Sequence, residues 1–327
     1  MISHYHHLTR DQRCQIYALK TTGMSQKKIA KRLKVDTSTI CRELKRNQGK
    51  KGYRFQQADK LASNRRSTAS RRPICMTPEN IEIINAKLSE GWSPEQISGR
   101  LKLEGIMQVS HESIYRHIWA DKRQGGKLYT YLRHGGKKYN HRSSTKAGRG
   151  CIPNRVDIKE RPAIVERKSR VGDWEGDTLI GAKHQGAILS HVDRKSKYTV
   201  LGKLRAKTAK NVVLAAKKCL SGLPVRTITY DNGKEFSEHQ SLARALKAKC
   251  FFATPYHSWE RGLNEHTNGL VRQYIKKSSN LSQVPKSKIK HVESLLNNRP
   301  RKVLEYQTPI EVLSKALKKM GGIALQC

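Results

Sequence analysis

Three acids in this 327-residue chain, Asp177, Asp231 and Glu265, have the setting that phosphoryl chemistry needs. Asp177 falls inside an alternating apolar segment, Asp173 to Ala182, that reads as a strand. Asp231 follows a second, Arg226 to Tyr230, at the edge where open α/β sheets hold their sites. Glu265 falls on the helix predicted after a further short strand, Cys250 to Thr254. Carboxylates crowded at one sheet edge repel and raise one another's pKa unless cations bind there. Hard divalent ions answer that need. Mg2+ takes one or two carboxylates with water and phosphate oxygens, and an ion pair about 3.5–4 Å apart can activate a nucleophile and stabilise the leaving oxygen of an in-line displacement.

Other acids share these segments. Alternation puts Asp173 and Glu175 on the face of Asp177, so the strand pattern excludes neither. Asp193, beside Arg194 and Lys195, reads as a turn or ion-pair acid, Glu235 as a residue behind the site, and Glu260 as an acid near the positive end of a helix. Helical periodicity places Leu263, Thr267, Leu270 and Tyr274 on one face and Glu265, Asn268, Gly269, Arg272 and Lys276 on another. Asn232, Asn264 and Asn268 can hydrogen-bond around bound ions, and Arg272 can take a DNA phosphate. Ordinary polar surface accounts for each of them equally well.

The elements that must position these residues form an α/β domain over 161–327. Their order, βββαβαβα, predicts a mixed five-stranded sheet with flanking helices, followed by two more helices around the basic loop Arg299-Pro300-Arg301-Lys302. The first 50 residues read instead as three short helices with helix-turn-helix spacing. Thr9 and Ser25 cap the first two, and the third runs from Thr37 to Arg46. Groove insertion by the third would present Ser38, Thr39, Arg42 and Arg46 to DNA, with Lys27 and Lys28 meeting phosphates. Residues 51–76 read as a basic linker, 77–121 as a second helix-turn-helix-like domain, and 122–160 as a basic flexible linker.

Lys and Arg number 66 against 26 Asp and Glu, a formal net charge of +40. Both halves of the chain carry the excess, so a polyanion, DNA before RNA or a membrane surface, is the expected partner. No apolar run approaches the roughly 18 residues that a membrane span needs. The polar segment Met1 to Arg10 predicts no export, hence cytoplasm and nucleoid. Seven scattered cysteines without a C-x-x-C pair suit reduced thiols rather than a disulfide framework or zinc knuckle.

Three blocks now become recognisable: Trp174-Glu175-Gly176-Asp177, Tyr230-Asp231-Asn232-Gly233-Lys234-Glu235-Phe236, and the stretch from Pro255 to Leu270 that contains Gly262-Leu263-Asn264-Glu265. In this order, behind a DNA-binding half, they closely resemble the blocks of bacterial transposases typified by insertion sequence 30, DDE enzymes related to retroviral integrases. The resemblance implies a ribonuclease-H-like catalytic domain with Asp177, Asp231 and Glu265 as catalytic metal ligands. It selects Glu265 over Glu260, because Gly262 starts the G-x-x-E block. It implies two Mg2+, with Mn2+ as a substitute, and an enzyme that binds its element's terminal inverted repeats, nicks the end, and directs the freed 3′-hydroxyl at target DNA. Two DNA ends imply a homodimer or higher oligomer. The His/His/Cys/Cys zinc pattern of retroviral integrases is absent, which assigns end recognition to the helical half. Two rivals remain at this point: a DNA-binding regulator with an inactive catalytic domain, and a nuclease of the same fold that cuts without joining.

Overall fold

A computed structural model describes residues 7–70, 76–133, 152–255 and 257–321. The chain divides into two compact units, Met1–Ile74 and Cys75–Cys327. Among the described residues no helix is long and apolar enough to cross a membrane.

Among the described residues the first unit holds four helices: α1 (Arg10–Thr21), α2 (Gln26–Arg32), α3 (Thr37–Asn47) and α4 (Phe55–Ser70). Thr9 and Gln12 form a reciprocal capping box at the start of α1, and the Asp36 carboxylate accepts from the Ser38 amide at 2.7 Å to start α3. Ser25 stands at the start of α2, but its side chain makes no capping bond. Ile16, Ile29, Ala30, Ile40, Leu44, Tyr53 and Ala58 fill one core. Residues 51–76, expected as a linker, therefore contain a helix whose Ala58 is buried in that core. A buried ion pair, Arg13 with Glu43 at 2.9 Å, joins α1 to α3, and Asp59 on α4 adds a third partner at 3.1 Å.

The second unit opens with α5 (Pro78–Ser89), α6 (Pro94–Leu103) and α7 (His111–Arg123). Proline in the first turn and Thr77 or Ser93 as side-chain cap start α5 and α6, as their sequences predict. These helices do not stand apart as an independent domain. Arg100 of α6 makes a bidentate pair with Glu311, at 2.8 and 2.7 Å, on the later helix α13 (Pro309–Lys319). Arg299 Nε donates to Gln96 at 2.8 Å, and the Tyr274 hydroxyl donates to the Glu90 carbonyl at 3.0 Å. The basic loop after residue 298 is thus largely consumed inside the unit, with Arg299 and Arg301 buried.

A single turn, α8 (Ala163–Glu166), precedes the sheet of β1 (Asp173–Ile180), β2 (Ala187–Asp193), β3 (Thr199–Leu204), β4 (Thr227–Tyr230) and β5 (Lys249–Phe252). Its order is β3-β2-β1-β4-β5, antiparallel from β1 to β3 and parallel from β1 through β4 to β5. This is the ribonuclease-H-like arrangement that the three blocks imply. Even positions of β1 face the helices α9 (Ala209–Leu220) and α10 (His239–Leu246), where Trp174, Ile228, Tyr230 and Phe252 make the larger core. Odd positions face α11 (Gly262–Tyr274) and α12 (Lys286–Asn297), with Leu179, Leu270, Val271 and Leu296 in the second core.

Both sheet edges are closed. The Asn297 side chain accepts from the Thr199 amide and donates to its carbonyl, each at 2.8 Å, shielding β3. On the other side the Phe252 amide donates to Val156 at 2.9 Å. Hence the far end of the stretch expected as the linker 122–160 belongs to the sheet domain, where Ile152 is also buried. At its near end Leu128 and Tyr129 pack on the helical core. Its middle, 134–151 with Gly135-Gly136 and Ser143-Ser144-Thr145, lies outside the described residues.

Candidate active site

Strand parity brings the two aspartates together. Glu175 of β1 lies beside Thr229 of β4 in parallel register. Two residues further along each strand, Asp177 and Asp231 reach the same face at the carboxyl end of the sheet. Each holds one carboxylate oxygen against backbone: Oδ1 of Asp177 accepts from the Thr178 amide at 2.8 Å, and Oδ1 of Asp231 from the Gly233 amide at 3.0 Å. Each Oδ2 faces Arg261. Arg261 Nη2 is 3.6 Å from Asp177 Oδ2, and Nη1 is 3.3 Å from Asp231 Oδ2. Burial pushes the Asp177 carboxyl up, Arg261 pulls it down, and Asp231 raises it again.

The structure also separates the three odd-numbered acids of β1. Asp173 is fully buried, bonded to Arg170 at 2.9 Å and to the Thr227 hydroxyl at 2.8 Å. Glu175 is buried and paired with Arg194 at 3.0 Å, and its other oxygen accepts the Asn264 amide at 3.2 Å. Asp177, with 24% of its side chain exposed, opens toward solvent, as does Asp231 at 44%. Asp193 accepts from the amides of Gly172, Lys195 and Ser196, the turn acid its neighbours predict. Glu260 accepts the Thr254 amide at 2.8 Å and steadies the loop before α11.

The stripe of α11 that faces β1 is defined by its bonds. Arg261, just ahead of the helix, donates to the Gly176 carbonyl at 2.7 Å, Asn268 donates to Asp177 Oδ2 at 2.7 Å, and Arg272 donates to the Ile180 carbonyl at 2.7 Å. Glu265 is exposed on this stripe, four residues after Arg261 and three before Asn268, both of which contact Asp177. Among the described residues, no group of three or more His, Cys, Asp and Glu is arranged to hold a metal ion. The fold assembles the aspartate pair around a guanidinium and sets Glu265 one turn away along the helix.

The remaining candidates are distributed around this pair. Asn268 also accepts from the Ser190 hydroxyl at 2.9 Å, which locks its orientation toward Asp177. Asn232 accepts from Arg155 and donates to the Ala253 carbonyl, tying the Asp231 loop to the end of β5. Asn264 is buried behind the site, and its side-chain amide has no hydrogen-bond partner among the described residues. Arg272, half-buried, is bound to the end of β1 rather than extended into solvent. Glu235 accepts from the Thr178 hydroxyl and pairs with Lys207, each at 2.8 Å, linking β1 to the Asp231 loop. Tyr256 lies outside the described residues.

Arg261 is the site residue that sequence reasoning missed. Its signal was present: it lies four residues before Glu265, one helical turn, so a face count begun one residue ahead of the helix includes it.

In the first unit, Lys27, Lys28, Ser38, Arg42 and Arg46 are exposed and Thr39 is half-buried. Arg42 donates to the Ser38 hydroxyl and carbonyl, at 2.5 and 3.0 Å. Thr39, Arg42 and Arg46 line one cleft together with Arg65 and Arg66 of α4, which adds two cations that the linker reading did not count.

A helix-turn-helix unit stands in the same chain as a mixed five-stranded sheet with an open acid pair at its edge. Residues 4–47 match the helix-turn-helix domain family. The chain is 48% identical to the transposase for insertion sequence element IS4351 of Bacteroides fragilis, over 96% of this chain and 97% of that one. It is 34% identical to the transposase InsI for insertion sequence element IS30A of Escherichia coli K12, over 95% and 84%. The catalytic core domain of BIV integrase matches at 18% identity and a TM-score of 0.38, over 46% of this chain and 98% of that one. The chain belongs to the family of insertion-sequence transposases that includes those of insertion sequence 30.

Proposed function

We propose that this protein is a DDE-type DNA transposase that binds the terminal inverted repeats of its own insertion sequence and cuts and joins DNA at the Asp177 and Asp231 pair. The observation that carries the reading is the convergence of the two Oδ2 atoms on one cation, with each Oδ1 held by a backbone amide. Such a hard-oxygen donor set suits Mg2+, with Mn2+ as substitute. Asp177 and Asp231 would hold two such ions, joined by Glu265 from α11. Bound there, the ions supply an activated oxygen nucleophile and charge stabilisation for phosphodiester exchange. Asn268 orients the Asp177 carboxylate, and Thr178 and Gly233 keep both acids turned inward.

End recognition falls to α3. Its exposed Ser38, Arg42 and Arg46 suit the major groove, flanked by Lys27 and Lys28 for phosphates. Two element ends call for at least a homodimer. The test uses the full chain with DNA carrying the element's end. Asp231→Asn and Asp177→Asn should each abolish cleavage and joining in Mg2+ while end binding in EDTA changes little. Strand transfer that survives either substitution removes the pair from catalysis. Nicked products without joined ones would identify a nuclease, and end binding by a chemically silent wild type would identify a regulator.

A further inference from the structure

Arg261 sits where a cation of the site would sit, and its ion pairs there are long for a largely buried arginine. Other Arg–carboxylate pairs in the same unit are shorter: Arg170 with Asp173 at 2.9 Å, Arg194 with Glu175 at 3.0 Å, Arg100 with Glu311 at 2.7 Å. A guanidinium fork matches a single carboxylate through two parallel bonds. Arg261 splits its two terminal nitrogens between two acids, as Arg194 does between Glu175 and Glu166 at 3.0 Å each, but its own contacts are longer, at 3.3 and 3.6 Å. Its Nε is buried with no hydrogen-bond partner among the described residues. Its one short bond goes to backbone, the Gly176 carbonyl at 2.7 Å. The side chain is drawn to the midpoint between two like charges and gives up its own best geometry to stay there.

We propose that Arg261 is the internal counter-ion of the metal-free site, holding the Asp177 and Asp231 Oδ2 atoms until a divalent cation displaces it. This rests on the reading that the two aspartates hold metal. Without Arg261, two partly exposed carboxylates on adjacent parallel strands would face each other across one sheet edge. That arrangement strains the folded state. With Arg261 in place half of the pair's charge is offset and the fold tolerates it. The same contact means that an entering ion must remove a monovalent cation from both oxygens, so metal binds more weakly than the bare pair would allow. Arg261 has the length to withdraw, because its backbone precedes α11 while, among the described residues, its guanidinium is held by these loose contacts and one carbonyl.

The experiment uses full-length protein without DNA, with Mn2+ as the probe, followed by calorimetry and by the spin signal of free Mn2+. Thermal melting in EDTA and in Mg2+ runs alongside. Arg261→Gln should melt below wild type in EDTA, gain more from Mg2+, and bind Mn2+ about tenfold more tightly, the equivalent of two partly exposed ion pairs. Arg261→Lys keeps a charge with fewer directed bonds and should fall between the two. It remains informative if the Gln variant does not fold. Mn2+ binding by both variants that is equal to or weaker than wild type overturns the proposal. Asp231→Asn separates the two levels of inference. Loss of Mn2+ binding there, together with unchanged binding in the Arg261 variants, sinks the counter-ion role alone. Unchanged binding in Asp231→Asn sinks the aspartate-pair reading beneath it.

Discussion

Replacing Gly176 with alanine should disturb the site through packing rather than chemistry. Gly176 lies between Glu175 and Asp177, and a Cβ there would stand 2.2 Å from Tyr230 Cε1, 2.7 Å from its Cδ1 and 3.0 Å from His191 Cδ2. The Tyr230 ring has nowhere to retreat. It is fully buried, stacks on Phe236 at 4.1 Å between centroids, and its hydroxyl is 2.8 Å from His191 Nε2. Burial drives the His191 pKa down to about 3, so the imidazole is neutral and hydrogen-bonds this hydroxyl. Overpacking a closed core by one methyl costs about 1–3 kcal/mol. The smaller chain entropy of alanine in the unfolded state returns roughly 0.5–1 kcal/mol of that. The 2.2 Å approach puts the cost in the upper part of that range, so a net loss of about 1–2.5 kcal/mol corresponds to a Tm lower by roughly 2–10 °C in a unit of this size. Since the Gly176 carbonyl also anchors Arg261 and the next residue is Asp177, Mn2+ affinity should change as well. The assay is thermal unfolding of Gly176→Ala, Tyr230→Leu and the double variant. Relief of the clash requires the double variant to be more stable than the sum of the single losses. Additive losses, or an alanine variant within about 0.5 kcal/mol of wild type, would refute the crowding argument.

Two further outcomes follow from single contacts. Asn268→Ala removes the donor to Asp177 Oδ2 and should lower Mn2+ affinity by roughly tenfold or more at little cost in Tm; unchanged affinity would leave Asn268 with no orienting role. The Arg100–Glu311 pair should show a coupling of about 1 kcal/mol in a double-mutant cycle, discounted for a Glu side chain that is 35% exposed. Arg100 holds Glu311 down to about 2 from its ordinary 4.5, so this stabilisation is complete above pH 4.5 and fades as the pH falls toward 2. Hydrogen exchange in α6 reports it, and a coupling that does not shrink between pH 5 and pH 2.5 would contradict the assignment.

Much of the architecture is legible without coordinates because it obeys short-range rules. Thr9 with Gln12, Thr77-Pro78 and Ser93-Pro94 announce helix starts by capping chemistry that acts within one turn, and all three start helices here. Strand alternation puts Asp173, Glu175 and Asp177 on one face, and they lie on one face. Residues 51–76 were harder to read. Their helix buries Ala58 and Ala62, side chains too small to stand out against a basic background, so charge outweighed periodicity. The partners of the loop at Arg299 to Lys302 are hidden from the sequence for a different reason. Its cations meet Gln96 and Glu95, about 200 residues earlier in the chain.

The order and spacing of Asp177, Asp231 and Glu265, the helical first half and the mixed sheet behind them are properties of the sequence itself, because caps, periods and motif spacing are local. Only the tertiary structure distinguishes the acids. Arg170 consumes Asp173 and Arg194 consumes Glu175, while Asp177 is left with Asp231, Asn268 and a loosely held Arg261. Which carboxylate stays open to a ligand depends on which cation reaches it first. Those cations come from the preceding loop, the end of β2 and the start of α11, elements that only the packed sheet brings to one face.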